Sequence, residues 1–326
     1  MTGRPHHRAG GGFCNPWPDA QPHGFSGVMR WALTRKHSRA EIDIVPRVAF
    51  PRKPRPTVDS DALTITWIGH SSFLIQSGGV NILTDPIWSE RASPVSFAGP
   101  RRLVPPGMSF DDLPPIHATF VSHDHYDHLD DRTTRQLIQR FPSMHWLVPL
   151  GVGRFLSRRG ASLVAELDWW DTLDLGMFSA SCTPAQHFSG RYPWNRDDSL
   201  WCGWVIRFRG RSVFFAGDTA MHPEFRAIAR RLGPFDAAIL PISAYEPRWF
   251  MQPVHMNPTD ATGAYCDLTD VSTRTTVMVP SHWGRFRLTD EPVAEPPAEA
   301  LRAWSDAGLS TDMLWLFAHG ETRSLA

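Results

Sequence analysis

Short apolar runs separated by turn-forming residues dominate the chain from Leu63 onward. The segment LTITWIGHSSFLIQSGGVNILTD predicts three β-strands, because Gly-His-Ser-Ser and Ser-Gly-Gly interrupt its apolar runs with turn chemistry. Further runs of the same kind predict strands at residues 118–122, 146–149, 163–169, 201–208, 212–216, 237–242, 276–280 and 314–318. The pattern is typical of a chain with many short strands.

Helical periodicity lies between several of these strands. An apolar face after Pro223 is formed by Phe225, Ile228 and Leu232. A second helix is predicted after Asn257-Pro258, which is typical of an N-cap followed by proline at the first helical position. Its inward-facing residues are Ala261, Ala264 and Leu268. Strands first, then strands mixed with helices, favour an α/β protein built as a two-sheet sandwich covered by helices.

The first part of the chain has a different composition. Residues 1–60 are rich in Gly, Pro, His and Arg, which predicts an N-terminal arm that packs on a single domain of residues 61–326. Within the arm, residues 28–33 could form one or two helical turns with an apolar face. We expect this face to pack on the main domain in preference to a membrane.

Composition narrows the functional classes. The 326 residues are 42% hydrophobic and 20% charged, as in ordinary globular proteins. The formal net charge is zero, so no long-range field favours nucleic acid as a partner. Four widely separated cysteines favour a reducing compartment. Because the chain shows neither an evident signal peptide nor a membrane-spanning apolar run, we expect a cytoplasmic protein with at most peripheral membrane contact.

The strongest chemical signal is an HxHxDH motif directly after the apolar run 119–121. Its members are His123, His125, Asp127 and His128. Imidazole and carboxylate groups at these spacings can converge on divalent cations such as zinc, and loops at strand ends are where folds present such groups. His123 and His125 can share one ion, while Asp127 and His128 turn toward a second. A merely solvated histidine-rich loop is disfavoured by the fixed spacings.

Four ligands from one loop cannot complete two sites, so more are expected at other strand ends. The candidates are His187, Asp218 and His282, each of which follows an apolar or β-like run. A single histidine after a strand is more often a hydrogen-bonded structural residue than a ligand. The order of motif, His, Asp and His, each at a strand end, favours one shared metal centre.

These residues and several longer motifs resemble the metallo-β-lactamase superfamily. Within it, the match is closest to the branch of phospholipases D that hydrolyse N-acylphosphatidylethanolamine, and to its bacterial relatives. The AYEPRWFM string is far more specific to this branch than HxHxDH, which marks the whole superfamily. The resemblance covers about residues 13–297 and is carried by NPWP at 15–18, TWIGH at 66–70, LTDPI at 83–87, RASP at 91–94, LPPI at 113–116, FFAGDT at 214–219, AYEPRWFM at 244–251 and HWG at 282–284.

The resemblance implies an αββα sandwich of two mixed β-sheets flanked by helices. It also implies two Zn²⁺ ions, one held by His123, His125 and His187. The second ion would be held by Asp127, His128 and His282, with Asp218 bridging both. Asp85 would support the metal loop through hydrogen bonds. Mn²⁺ or iron would also fit a mixed His/Asp site.

The activity implied by the resemblance is hydrolysis of a phosphodiester. N-acylphosphatidylethanolamine or a related phospholipid would be cleaved to phosphatidic acid and an (N-acyl)ethanolamine. The predicted catalytic residues are Asp127, Asp218 and His255. His255 is either an acid or phosphate-orienting group, or a helix-entry histidine without a catalytic role. A homodimer is one expected assembly.

A phospholipid substrate needs apolar surface beside the metals. The aromatic and polar segment 188–196, directly after His187, is expected to flank the substrate. Three arginines could pair with phosphate or form structural salt bridges, namely Arg191, Arg196 and Arg248.

Other classes share the metal ligands. A lactonase or esterase of this fold should lack the AYEPRWFM string and the aromatic segment after His187. A nuclease should carry a basic surface or an added RNA-binding module, against which the zero net charge argues. Metals that serve stability alone are disfavoured, because structural zinc is usually a closed four-ligand site.

Overall fold

Two β-sheets packed face to face form the centre of the protein. The computed structural model describes residues 4–18, 20–34, 61–192, 194–269 and 275–326. Its strands are β1 (Leu63–Gly69), β2 (Ser72–Ser77), β3 (Val80–Thr84), β4 (Ala118–Phe120), β5 (His145–Pro149), β6 (Val164–Leu167), β7 (Thr172–Asp174), β8 (Ser179–Thr183), β9 (Gly203–Phe208), β10 (Arg211–Phe215), β11 (Ala237–Pro241), β12 (Val277–Ser281) and β13 (Thr322–Leu325).

Helices cover the outer faces of these sheets, which confirms the predicted αββα sandwich. They are α1 (Phe25–Thr34), α2 (Asp131–Arg140), α3 (Gly153–Ser157), α4 (Phe225–Leu232), α5 (Arg248–Met251), α6 (Pro258–Leu268) and α7 (Glu295–Asp306), with short 3₁₀ helices at Phe110–Asp112 and Thr311–Met313. Alternation along a strand separates the two layers of core. In β2, Phe73 packs between the sheets, whereas Leu74 packs with Leu137 and Leu156 of α2 and α3.

The strand order brings several strand ends to one edge of the sandwich. Among the described residues, one sheet has the order β13-β1-β2-β3-β4-β5-β6 and the other β12-β11-β10-β9-β8-β7. Strands β3 to β6 are parallel, and so are β10 to β12. Strand β8 runs in the direction of β10, because both are antiparallel to β9. The loops after β3 and β4 therefore share one edge, as do those after β8, β10 and β12.

The chain after residue 310 corrects one prediction. The predicted strand at 314–318 is wrong, because Leu314 makes only an isolated bridge to Met278. Leu314 and Phe317 are buried as an irregular segment, which produces an apolar pattern without a strand. The last strand is β13, which pairs with β1 and was not predicted because Thr-Arg-Ser-Leu lacks an apolar run.

Two N-terminal segments contact the sandwich. In the first, the Phe13 amide donates to the Asp197 carbonyl at 2.8 Å. In α1, Trp31 stacks on Phe250 with 5.3 Å between ring centroids, as expected for a face that packs on the domain, but Leu33 is 82% exposed. Residues 35–60 lie outside the described residues, so the division into arm and domain at residue 60 stays a prediction. None of the described helices is long and apolar enough to cross a membrane.

The predicted cap of α6 is confirmed and gives a test of local stability. The Asn257 side chain accepts from the Asp260 amide at 2.8 Å, and the Asp260 carboxylate accepts from the Asn257 amide at 3.2 Å. We expect Asn257→Ala to lower the free energy of unfolding by about 1 kcal/mol in urea denaturation, because an N-cap acceptor is lost. Asn257→Asp keeps the acceptor and is the control. Equal losses in both variants would contradict the role of the cap.

Candidate metal centre

Loops at the shared edge place all seven predicted ligands in one buried cluster. The HxHxDH loop follows β4, His187 follows β8, Asp218 follows β10, and His282 follows β12. The two sheets are joined here by the Cys202 amide, which donates to the Ser122 carbonyl at 2.9 Å. The ligand atoms fall into overlapping groups that could hold metal ions, with all atoms of a group within 4.8 Å of one another.

The first group consists of His123, His125 and His187. The Nδ1 atom of His125 lies 2.8 Å from Nε2 of His123 and 3.3 Å from Nε2 of His187. Burial lowers the pKa of His125 to about 4 and that of His187 to about 3, so these rings are neutral near pH 7. Three neutral imidazoles with nitrogens turned toward one point suit a divalent cation.

The second group contains Asp127, His128 and His282, together with His70. Oδ2 of Asp127 lies 3.4 Å from Nε2 of His128 and 3.6 Å from Nε2 of His282. Burial lowers the pKa of His282, but Asp218 and Asp127 outweigh this effect and raise that pKa to about 9. The imidazoles of this group therefore face a concentration of negative charge.

Asp218 lies between the two groups. Its Oδ2 atom is 3.0 Å from Nε2 of His282 and 3.1 Å from Nε2 of His128, and also 3.9 Å from Nε2 of His187. Burial would raise the pKa of Asp218, but His128 and His282 hold it well below its usual range. The carboxylate is thus ionised and able to serve both groups.

Several buried atoms of the cluster lack a hydrogen-bond partner in the described part of the chain. They include Oδ1 of Asp218 and Nε2 of both His128 and His282, whose close contacts with Oδ2 of Asp218 lack hydrogen-bond geometry. Buried polar atoms are normally satisfied, so a set of such atoms converging on one point fits bound cations. The donor set of imidazole and carboxylate suits zinc, and manganese or iron as well.

Hydrogen bonds from outside the cluster orient its imidazoles. Asp85 accepts from the Ser122 amide at 2.7 Å, the Ser122 hydroxyl at 2.6 Å and Nδ1 of His128 at 2.7 Å. Nδ1 of His187 donates to the Val254 carbonyl at 2.9 Å. These bonds fix which nitrogen of each ring faces inward, and the contacts predicted for Asp85 are confirmed.

Gly217 explains why the Asp218 loop needs a glycine. Its φ of 62° lies in the left-handed region, and a Cβ atom there would lie 2.4 Å from Cβ of Ser122. Only glycine lets the Asp218 loop approach the HxHxDH loop this closely.

His255 also reaches the centre. Its ring centroid lies 5.0 Å from that of His187 and 5.3 Å from that of His282, and it groups with His187 and Asp218. The side chain is buried, and burial lowers its pKa well below the usual value for histidine. It therefore lies at the centre as a neutral imidazole.

All three arginines interact with other groups of the protein. Arg191 donates to the carbonyls of Asp124 and Leu129, both at 2.7 Å. Arg248 pairs with Asp260 at 2.7 Å and donates to the His255 carbonyl at 3.2 Å. Both arginines therefore brace loops of the centre. Arg196 is exposed, pairs with Asp197 at 3.8 Å and lies over the Phe188 ring.

The segment 188–196 borders the centre. The Gly190 amide donates to Asp124 at 2.8 Å, and the Tyr126 hydroxyl donates to the Arg191 carbonyl at 2.6 Å. Further along it, Tyr192 and Trp194 are 49% and 79% exposed, and their rings stack at 5.1 Å. An exposed aromatic pair thus lies on a loop anchored to the HxHxDH loop.

Sequence reasoning missed His70. Nε2 of His70 lies 3.0 Å from Oδ2 of Asp127, and the side chain is buried. The available signal was its position directly after an apolar strand and a glycine, as for Asp218. The sequence around His70 did not indicate its contact with Asp127, because Asp127 lies 57 residues away in the chain.

Comparisons with known proteins agree with this arrangement. A family model described as a beta-lactamase superfamily domain matches residues 80–283. A Caenorhabditis elegans protein named N-acyl-phosphatidylethanolamine-hydrolyzing phospholipase D 1 is 37% identical over 300 residues, 87% of this chain and 83% of that protein. An uncharacterized Mycobacterium tuberculosis protein is 40% identical over 280 residues, 85% of this chain and 73% of that one.

A solved structure shows the same fold. Igni18, described as a metallo hydrolase from Ignicoccus hospitalis, has a TM-score of 0.60 and 22% identity, covering 81% of this chain and 99% of that chain. This likeness concerns the fold alone, whereas the family match and the relative at 37% identity assign the chain to a family. The protein belongs to the metallo-β-lactamase superfamily, and its relatives there include a phospholipase D that hydrolyses N-acylphosphatidylethanolamine.

Proposed function

We propose that the protein is a phosphodiester hydrolase of phospholipase D type that uses two divalent metal ions. Its substrate would be N-acylphosphatidylethanolamine or a related phospholipid, cleaved with water to phosphatidic acid and an (N-acyl)ethanolamine. The observation that carries the metal chemistry is the place of Asp218, whose Oδ2 lies 3.0 Å from His282 and 3.9 Å from His187. One carboxylate within reach of both groups suits a bridging ligand.

The ligand roles follow from the two groups. His123, His125 and His187 would hold one ion, and Asp127, His128 and His282 the other. Bound divalent ions supply a nucleophile from water at neutral pH and polarise phosphoryl oxygens. Asp218 would bridge both ions and balance their charge. Zinc is the metal favoured by the imidazole-rich donor set, with manganese and iron as alternatives.

His255 is assigned to the substrate in this proposal. A neutral imidazole at the centre can donate one hydrogen bond to a phosphoryl oxygen and orient it. This role suits the buried ring better than that of a general acid. A histidine acts as a general acid in its protonated form, and the ring of His255 is neutral near pH 7. Arg191 and Arg248 contribute by holding loops, since their guanidinium groups are engaged.

The lipid part of the proposal has separate support. The Caenorhabditis elegans relative is named for hydrolysis of N-acylphosphatidylethanolamine. The exposed pair Tyr192 and Trp194 lies on the loop that follows His187. Aromatic rings of this kind favour the boundary between water and lipid. We therefore infer that this loop contacts the surface from which the substrate is drawn.

The metal role of Asp218 is tested by Asp218→Asn. We expect hydrolysis of N-acylphosphatidylethanolamine, measured by mass spectrometry of both products, to fall about a hundredfold or more. Metal content should fall below two ions per chain, because an amide cannot balance two cations. Asp198→Asn removes an exposed carboxylate that belongs to neither metal group and should retain both properties. Full turnover with full metal content in Asp218→Asn, or turnover of lactones alone by the unmodified protein, would contradict the proposal.

The role of His255 is tested by His255→Phe, which keeps an aromatic ring but removes the donor. We expect kcat to fall about a hundredfold, as when one donor to a developing negative charge is lost. Metal content should remain that of the unmodified protein. His222→Phe is the control, because His222 is a buried histidine stacked on Trp17 and Phe225. Loss of metal in His255→Phe would show that His255 is a ligand instead.

The lipid-contact role is tested by replacing Tyr192 and Trp194 together with serine. We expect KM for substrate in vesicles to rise about tenfold, because aromatic area at the lipid boundary is lost. Turnover of a short-chain, water-soluble phosphodiester should stay unchanged. Met177→Ser is the control, because Met177 is 53% exposed and precedes β8, at the end of the strand opposite His187. Equal KM values in both variants would refute lipid contact by this loop.

A further inference from the structure

His70 lies in the turn between β1 and β2, outside the seven ligands. Its φ is 58°, in the left-handed region that non-glycine residues seldom adopt. The pairing register of β1 with β2 shifts between Trp67 and Gly69, and such a bulge re-aims the side chains that follow. The backbone is thus specially shaped at the residue that enters the metal centre.

The side chain of His70 makes one hydrogen bond, to Asp127. The distance from Nε2 to Oδ2 is 3.0 Å, and the ring lies 4.1 Å from the ring of His282. In a hydrogen bond to an ionised carboxylate, which only accepts, Nε2 of His70 is the donor. A protonated nitrogen has no lone pair for a metal ion. The contact therefore favours orientation of Asp127 over coordination by His70.

The main chain of His70 contacts a second ligand. Its carbonyl accepts from the His282 amide at 3.1 Å and from Nε1 of Trp67 at 2.9 Å. One residue thus holds Asp127 through its side chain and His282 through its backbone.

Arg285 braces this turn from behind. Its fully buried guanidinium donates to the Ile68 carbonyl at 3.2 Å and to the Ile87 carbonyl at 2.9 Å. A Cβ atom at Gly69 would lie 2.7 Å from Nη1 of Arg285, so the turn and the guanidinium are in close contact. The position of His70 is therefore determined by packing on several sides.

We propose that His70 is a positioning residue for the second metal group, which holds Asp127 in the orientation needed to bind an ion. The proposal rests on the proposed metal pair but is independent of the lipid substrate. Partners of metal ligands contribute about 10–100-fold to metal affinity. His70 should therefore act on the second ion and leave the first unchanged.

The test measures metal affinity in competition with a chromophoric chelator, using Zn²⁺ alone. His70→Asn keeps the turn, because asparagine tolerates left-handed φ, but its amide ends short of Asp127. We expect affinity for the second equivalent of Zn²⁺ to fall about 10–100-fold and affinity for the first to stay unchanged. His70→Gln, whose longer amide can reach Asp127, should recover part of the loss. His222→Asn is the control for loss of a buried imidazole.

A double-mutant cycle with Asp127→Asn separates positioning from coordination. If His70 acts through Asp127, His70→Asn should cause no further loss in the Asp127→Asn background. Additive losses, or unmodified affinity in His70→Asn, would overturn the proposal. Should His70→Asn fail to fold, ¹⁵N NMR of the unmodified zinc-loaded protein decides, and an unprotonated or metal-bound Nε2 on His70 refutes the proposal. Two bound ions without phospholipid turnover would refute the proposed substrate and leave the role of His70 intact.

Discussion

The buried carboxylate of Asp218 is the group on which the metal centre depends. An ionised carboxylate removed from water is stable only beside compensating charge and hydrogen bonds, since its desolvation costs several kcal/mol. Two more carboxylates, Asp127 and Asp85, lie close by, and Asp85 and Asp218 are almost fully buried. The neutral imidazoles of His125 and His187 supply lone pairs but no positive charge. Against the effect of burial, the carboxylates raise the pKa of His128 and His282, so these two rings offset part of the negative charge. Bound divalent cations would balance this excess, which links metal loading to stability of the fold.

Holding such groups together requires a backbone that departs from regular structure at defined points. His70, Asp85 and His282 all have positive φ, and each immediately follows a strand. Each such residue costs about 1–3 kcal/mol, which a loop without support could not sustain. The two sheets supply that support, because the strands beneath these residues are buried at every position except Thr64. Regular strands thus provide the rigidity that allows irregular residues at their ends.

How much the sequence could predict depends on whether the information was local. The HxHxDH loop and the strand ends before Asp218 and His282 are local signals, and the two-sheet architecture follows from strand and helix periodicity. Partners distant in the chain were not predictable in this way. The contact of His70 with Asp127, and the carbonyls that engage Arg191, depend on how loops meet in the folded chain. Segment 314–318 shows the reverse error, because burial of an irregular segment gives the same apolar pattern as a strand.

The metal centre and the segments that adjoin it have different roles in the choice of substrate. Igni18 has the same fold at only 22% identity, so the sandwich tolerates wide variation in sequence. In this protein the N-terminal segment reaches the centre through Asn15, whose amide donates to the His187 carbonyl at 2.9 Å and whose oxygen accepts from Trp201 at 3.1 Å. The segment 188–196 begins at the same ligand. Both segments are therefore joined to the backbone of His187. Neither of these connections involves Nε2, the ring nitrogen that faces the metal centre. In the proposed hydrolase the metal ions would supply the same chemistry to any phosphodiester, so selection of a lipid would come from segments joined to the centre in this way.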